Sequence, residues 1–147
     1  MKKIVSILFV LVFVLCLSAC HVEDTNGTDN YELETFTDED IIKGTNISAT
    51  FTYQSYINNK GKFGCSKMSG VKLIDTFHCY NETLKIEFTS SVTKGNFKLV
   101  VVHDGIIDVI PINQTYVYEA KNALGEYEVK VVGESAKFEI TYVWEKK

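Results

Sequence analysis

The chain has 147 residues, a net charge of −4 and no arginine, so all 15 basic residues are lysine. An acidic chain without a basic patch excludes a nucleic-acid-binding face. Its length suits one domain with an appendage, and a hydrophobic content of 46% is ample for a packed core.

Lys2 and Lys3 precede an apolar run that starts at Ile4 and closes on Leu17-Ser18-Ala19-Cys20. A positive start, a short apolar stretch and small residues before a cleavage point form a secretory signal. The run, roughly 14 residues, falls short of the ~20 that a helix needs to cross the hydrocarbon core. Leu17-Ser18-Ala19-Cys20 resembles the bacterial lipobox. This resemblance covers residues 1–20. It implies that residues 1–19 are removed and that Cys20 carries a diacylglyceryl group. The protein would then sit on the extracytoplasmic face of the cell membrane, held by acyl chains, and two such chains suffice for stable attachment where one does not. Plain secretion with cleavage near Ala19, and an uncut anchor, are the competing readings.

Removing residues 1–19 leaves 13 lysines and 19 acids, a net charge of −6. The acids cluster: Glu23, Asp24, Asp29, Glu32, Glu34, Asp38, Glu39 and Asp40 fall in a stretch without lysine. Such a stretch cannot bury enough apolar surface to order itself, and its like charges extend it. Residues 20–44 are therefore expected to form a disordered acidic linker between Cys20 and a domain at 45–147. Phe36, Ile41 and Ile42 are the features that would instead let this strip dock.

From about residue 45 the pattern alternates with period two. Ile47, Ala49, Phe51 and Tyr53 alternate with Ser48, Thr50, Thr52 and Gln54, and Asn58-Asn59-Lys60-Gly61 follows as a turn. Weaker strands are expected over 62–67 and 71–77, and Leu84, Ile86 and Phe88 mark another. Residues 96–103 are apolar on both faces through Val100-Val101-Val102, which suits a strand under a covering layer. Asp104-Gly105 is the strongest hairpin turn, and Pro111 marks a strand end or an edge. Further strands are expected over 115–119, 127–131 and 136–144, with turns at Gly125 and Gly133, and short helical turns have room only at 66–70 and 119–124. About seven to nine short strands predict an all-β fold, a two-sheet antiparallel β-sandwich. Its core aromatics would be Phe51, Phe88, Phe97, Phe138, Tyr142 and Trp144.

The ending Gly125-Glu126-Tyr127-Glu128-Val129, with Gly133, Phe138-Glu139-Ile140 and Trp144, resembles the last hairpin of secreted jelly-roll or immunoglobulin-like modules. It is similar to small lipid-anchored sandwich proteins of Gram-positive bacteria and, more distantly, to bacterial pre-peptidase C-terminal domains. These families imply no catalytic residues for this chain.

Cys16 leaves with the signal and Cys20 is the lipid site, so Cys65 and Cys79 remain in the domain. Export permits a disulfide between them, worth about 3 kcal/mol for a loop of this length. Two free thiols are the alternative. A metal site with His78 lacks the usual ligand spacing, so no metal and no cofactor are expected. His103 beside Asp104 suggests a base and its orienter, but no nucleophile motif accompanies them. Asp75 is the acid that breaks an apolar face, which suits a strand end better than a glycosidase pair.

Among the tyrosines, Tyr56, Tyr116 and Tyr118 are the candidates for stacking on sugar rings. The sequence thus points to a non-enzymatic, lipid-anchored interaction or structural module of the cell envelope, with the membrane as one partner and an envelope protein or cell-wall polymer as the other. A carbohydrate- or cell-wall-binding module is the alternative, and a small hydrolase or lipid carrier is a third.

Overall fold

Helix α1 (Asp38–Lys43) opens the part of the chain that the computed structural model describes, residues 36–147. The signal-like run and Cys20 lie outside these residues. A capping box starts the helix: the Asp40 amide donates to the Thr37 hydroxyl at 3.3 Å, and the Thr37 amide donates to Asp40 Oδ2 at 2.9 Å. These bonds from Thr37 hold the Asp40 carboxyl below the usual aspartate range. Asp38, Glu39 and Asp40 fill the first turn and Lys43 the last, which matches the helix dipole. A helix this short is not stable alone. Its stability comes from docking: Ile41 is 2% exposed and packs with Val71, Val100, Val102 and Val132, flanked by Phe36 and Ile42. The end of the stretch expected to be a solvated linker is thus ordered structure, because a cap and three apolar side chains outweigh its charge.

All remaining regular structure is antiparallel β: β1 (Ile47–Ile57), β2 (Lys60–His103), β3 (Ile106–Ile110) and β4 (Thr115–Lys146). The turns expected at Asn58-Asn59 and Asp104-Gly105 are present, with positive φ at Asn58, Asp104 and Gly105. Instead of seven to nine short strands there are four, two of them very long. The breaks expected within them are passed by irregularities in register, such as those between Met68 and Gly70 and between Lys94 and Asn96. Gly70 (φ 118°) and Gly95 (φ 75°) stand there, and a Cβ on either would meet backbone oxygen at 2.2 or 2.5 Å. For the same reason residues 66–70 and 119–124 are strand rather than helix.

β2 flanks β4 on both sides. Tyr142 is paired with Gly61 and with Phe88, Val131 with Lys72 and Leu99, and Lys130 with Leu73 and Val100. β4 is therefore the centre of the ladder, while β1 and β3 each pair with β2 alone. The main core gathers Phe63, Met68, Leu84, Ile86, Phe88 and Phe97 with Val129, Val131, Phe138, Ile140 and Tyr142. Its aromatic contacts include Phe97 on Phe138, with ring centres 4.2 Å apart, and Phe63 on Phe138 at 5.6 Å. Of the aromatics expected inside, Phe88, Phe97, Phe138 and Tyr142 are buried and Trp144 is partly buried, but Phe51 is 88% exposed.

The second apolar cluster lies between the sheet and α1. It explains why residues 100–102 are apolar on both faces: Val101 joins the main core, and Val100 and Val102 face the helix. Lys130 closes this layer. Its ammonium group donates to the Ile41 carbonyl at 3.2 Å and to the Ile42 carbonyl, and lies 3.0 Å from Glu128 Oε2. A side chain only 2% exposed thus spends its three protons on two helix-end carbonyls and one carboxylate.

Candidate interaction surface

β1 is built from Ile, Ser, Ala, Thr, Phe, Tyr and Gln, and none of its eleven residues is charged. Its hydrogen-bonded partner is β2, and among the described residues its outer edge is unpaired. The register shows how its side chains are aimed. Thr50 pairs with Lys67 and Thr52 with Cys65, so Phe51 and Ser66 have no partner in the ladder. Phe51 has φ 51°, an unfavourable conformation for a bulky residue. The register is the same on both sides of it: Thr52, Gln54 and Tyr56 stand opposite Cys65, Phe63 and Gly61, while Phe51 itself turns into solvent. Phe51, Tyr53, Tyr56 and Ile57 all stand exposed along this strand.

Two side-chain networks hold the strand in place. On one face, the Tyr53 ring covers Gly64 and its hydroxyl bonds Glu139, which also pairs with Lys62 at 3.0 Å. Desolvation, then the Glu139 contact, pushes the Tyr53 phenol up to about 12. The Tyr53 and Lys62 bonds hold the Glu139 carboxyl below its usual range. On the other face, the Tyr142 ring lies over Gly61, whose missing side chain makes room for it. The Tyr142 hydroxyl is 2.9 Å from that of Tyr56 and 3.1 Å from Asp75 Oδ2. Having one proton, it donates to the carboxylate and accepts from Tyr56. Asp75 also accepts from the Thr76 amide at 2.8 Å. Burial outweighs these bonds and raises the Asp75 carboxyl above its usual range. Burial and the facing Asp75 carboxylate likewise raise the Tyr142 phenol. Asp75 thus anchors a tyrosine pair at the core margin.

The three tyrosines singled out in the sequence are not a contiguous platform. Tyr56, Gly61, Tyr142, Phe88 and Tyr116 form one cross-strand row. Tyr56 and Tyr116 are its ends, roughly 19 Å apart at the usual strand spacing. Buried Tyr142 and Phe88 lie between them, and Tyr56 meets Tyr142 edge to face at 77°. Tyr118 packs on the core, and its hydroxyl donates to Asp108 Oδ2 at 3.1 Å. Burial, then Asp108, raises its phenol.

Cys65 and Cys79 are free thiols, both buried, which corrects the expected disulfide. They lie in the same strand, and their partners on β4, Phe138 and Gly125, are far apart along it. A disulfide needs Cα atoms within about 7 Å. The Cys65 sulfur instead lies 3.1 and 3.3 Å from the Lys67 and Thr50 carbonyls, which share its single proton, and burial raises the Cys79 thiol.

His103 is held at both ring nitrogens, by the Glu126 carbonyl and by Asp104 Oδ2, each at 3.2 Å, and stacks on Tyr127 at 4.0 Å. Asp104 sits in the turn with φ 48°, and its carboxylate lies against the neighbouring ring. Asp104, Glu126 and Glu128 line a cleft of about 330 Å³ beside Ile42. Each of the three already faces a partner: His103, His78 at 3.3 Å, and Lys130. Among the described residues, no group of three or more His, Cys, Asp or Glu is disposed to hold a metal ion, and no helix is long and apolar enough to cross a membrane.

Sequence reasoning missed Lys130. The signal was there: it sits between Val129 and Val131-Val132, opposite a Val100-Val102 strand that is apolar on both faces. Compared with known proteins, the chain matches no family model, and no curated protein is similar enough to count as a relative.

Proposed function

We propose that this is a lipid-anchored protein of the cell envelope. Its β domain, held outside the membrane by Cys20, acts without catalysis by binding a protein partner through β1. The observation that carries this reading is the outer edge of β1: eleven uncharged residues, unpaired among the described residues, with Phe51 turned outward at the expense of its backbone conformation. An exposed strand edge of this kind is a template for another strand. In the same reading the domain is a two-sheet β-sandwich. Supporting it, β4 is flanked by both halves of β2, and the long strands carry register shifts where one layer would turn into the other.

The test has two parts. Cys20→Ser should move the protein from the membrane fraction to the soluble one, and continued membrane retention refutes the anchor. Full-length protein should capture a defined envelope protein, and Phe51→Lys should abolish capture. Retention on wall polymer instead, unaffected by that change, would transfer the function to glycan binding.

A further inference from the structure

We propose that the face of the sheet turned away from the main core carries a docking site for an anionic membrane surface, built from Lys67, Lys137 and Lys94 with Phe51 at its margin. From the proposed function this takes only the nearness of a bilayer, and it leaves the backbone edge of β1 free.

Three observations carry it. The first is the row itself. Lys94 is paired with Lys137. On the other side of Lys137, Cys65 pairs with Phe138 and Met68 with Ala136, so Ser66 and Lys67 together stand opposite it. Ala136 and Phe138 are buried in the main core, so Lys137 between them points away from that core, and directly opposed residues share a face. All three lysines are exposed. Lysines far apart in the chain thus fall on three adjacent strands, in a row about 10 Å wide at the backbone.

The second is that the row is uncompensated. Among the described residues, Lys94 and Lys137 are the one pair of like charges opposed across strands, an arrangement that destabilises a sheet. None of the three lysines has an ion-pair partner among these residues, whereas Lys62, Lys85, Lys130 and Lys146 of the same strands do. The neighbouring carboxylates are engaged elsewhere, Glu134 with Asn96 at 3.0 Å and Glu139 with Lys62 and Tyr53. Lys60, Lys72 and Lys98, also without ion pairs, stand singly opposite Val143, Val131 and Val132. The register shifts on both sides of Lys137, between Cys65 and Met68 and between Val92 and Lys94, and such bulges re-aim side chains rather than arise as defects. In a chain of net charge −4, positive charge concentrated at a cost in stability calls for an anionic ligand.

The third observation selects a membrane. Phe51, 88% exposed, falls between Thr50 and Thr52, whose partners are Lys67 and Cys65, so it stands one strand out from the end of the row. Lysines beside an exposed aromatic ring suit the boundary of a bilayer, with ammonium groups on the phosphates and the ring among the upper acyl carbons. A dissolved anionic polymer would take the lysines and leave the ring in water. With Cys20 in the bilayer, the chain from Cys20 to Phe36 spans at most about 55 Å, which keeps the domain beside that surface. Each lysine near an anionic surface strengthens binding about fivefold, and the row does so on the order of a hundredfold.

The experiment places the full chain on vesicles of phosphatidylcholine alone and on vesicles rich in phosphatidylglycerol. Lysines are acetylated with limiting reagent and the extent at each is read by mass spectrometry. An anchor holds the chain to both vesicles, so the difference between them reads the row, and failure of the Cys20 anchor shows separately in the fractionation of Cys20→Ser. Lys67, Lys94 and Lys137 should react several-fold more slowly on the anionic vesicles, with exposed Lys121 unchanged. Salt at ~1 M, which cuts the screening length to ~3 Å, should abolish the difference. Lys137→Glu removes one positive charge and adds a negative one, so it should weaken docking about 25-fold and free Lys67 and Lys94. It also sets opposite charges across from each other, so its Tm should not fall below wild type, which separates lost docking from lost folding. In Phe51→Trp, brominated acyl chains should quench the added emission on anionic vesicles. Equal acetylation on both vesicles overturns the inference, as does protection of Lys67 and Lys94 that survives Lys137→Glu. Protection by soluble polyphosphate with none by anionic vesicles, or unquenched emission in Phe51→Trp, overturns the choice of a membrane.

Discussion

Replacing Lys130 by methionine tests how α1 is held to the sheet. Methionine keeps the apolar stem and removes the ammonium group. Two outcomes compete. If α1 stays docked, the Ile41 and Ile42 carbonyls lose their charged donor and Glu128 loses its partner. Stranded carbonyls cost about 1–3 kcal/mol each when buried, and the Glu128 loss is smaller because that side chain is partly in water. If α1 lifts away, the burial of Ile41 is forfeited, about 2–3 kcal/mol, and the Val100 and Val102 face is wetted. The cheaper route sets the result, so a loss of about 2–3 kcal/mol and a Tm lowered by about 8 °C are expected. Hydrogen exchange tells the routes apart, since undocking frees the amides of Ile41 and Gly44 from Thr37 and Asp40. Glu128→Gln in the same chain should recover part of the loss, because it removes the carboxylate left without its cation. An unchanged Tm with unchanged protection at Ile41 and Gly44 would refute the clamp.

Three further predictions concern the core margin. The Asp75 carboxyl is raised by burial, so the neutral form is the one favoured by folding. Its contribution is complete below the ordinary aspartate value near ~3.9 and is lost as the pH rises through the elevated value. The difference in urea stability between wild type and Asp75→Asn should therefore grow with pH upward from about 4, with the variant the more stable at neutrality; a flat difference contradicts this. Gly61→Ala drives a methyl group to 2.1 Å from Tyr142 Cζ, in a ring that cannot retreat without breaking its bonds to Tyr56 and Asp75. A cost of about 1–3 kcal/mol in denaturant titration is expected, and one under about 0.5 would show that the ring has room. Reducing agent should leave the Tm unchanged, and Cys65 and Cys79 should resist alkylation until denaturant is added; a downward shift on reduction would restore the disulfide.

The period-two pattern carried most of the fold. The β class, the Asp104-Gly105 hairpin and four of the six core aromatics follow from alternation and turn chemistry, which are local. Val100-Val101-Val102 even announced a covering layer, although nothing local said that the layer would be α1. Phe51 is exposed because its positive φ breaks the alternation, so that Ile47 and Ala49 pack on the core before it and Tyr56 after it, and a period-two pattern contains no mark of that break. The end of the acidic stretch reads as linker because its charge dominates composition, while Thr37, Ile41 and a lysine about ninety positions away decide its order. The cysteines show the same limit: spacing along the chain made them plausible partners, and a single extended strand keeps them apart. As for the candidate surface, the tyrosines were visible in the sequence, but which edge is unpaired is a property of topology alone.

The central position of β4 has a consequence for how this protein is made. Residues that pair with it, 60–102, leave the ribosome before Thr115–Lys146 exist. No nascent prefix can form the middle ladder, and the contacts that complete it span much of the sequence, which makes folding slow. Until its last strand exists, only the β1–β2 and β2–β3 pairs can form. If the chain is exported, as proposed, that delay leaves the middle of the sheet unformed during passage. Placing the last-made strand at the centre of the sheet means that the domain is completed only when the whole chain has been made.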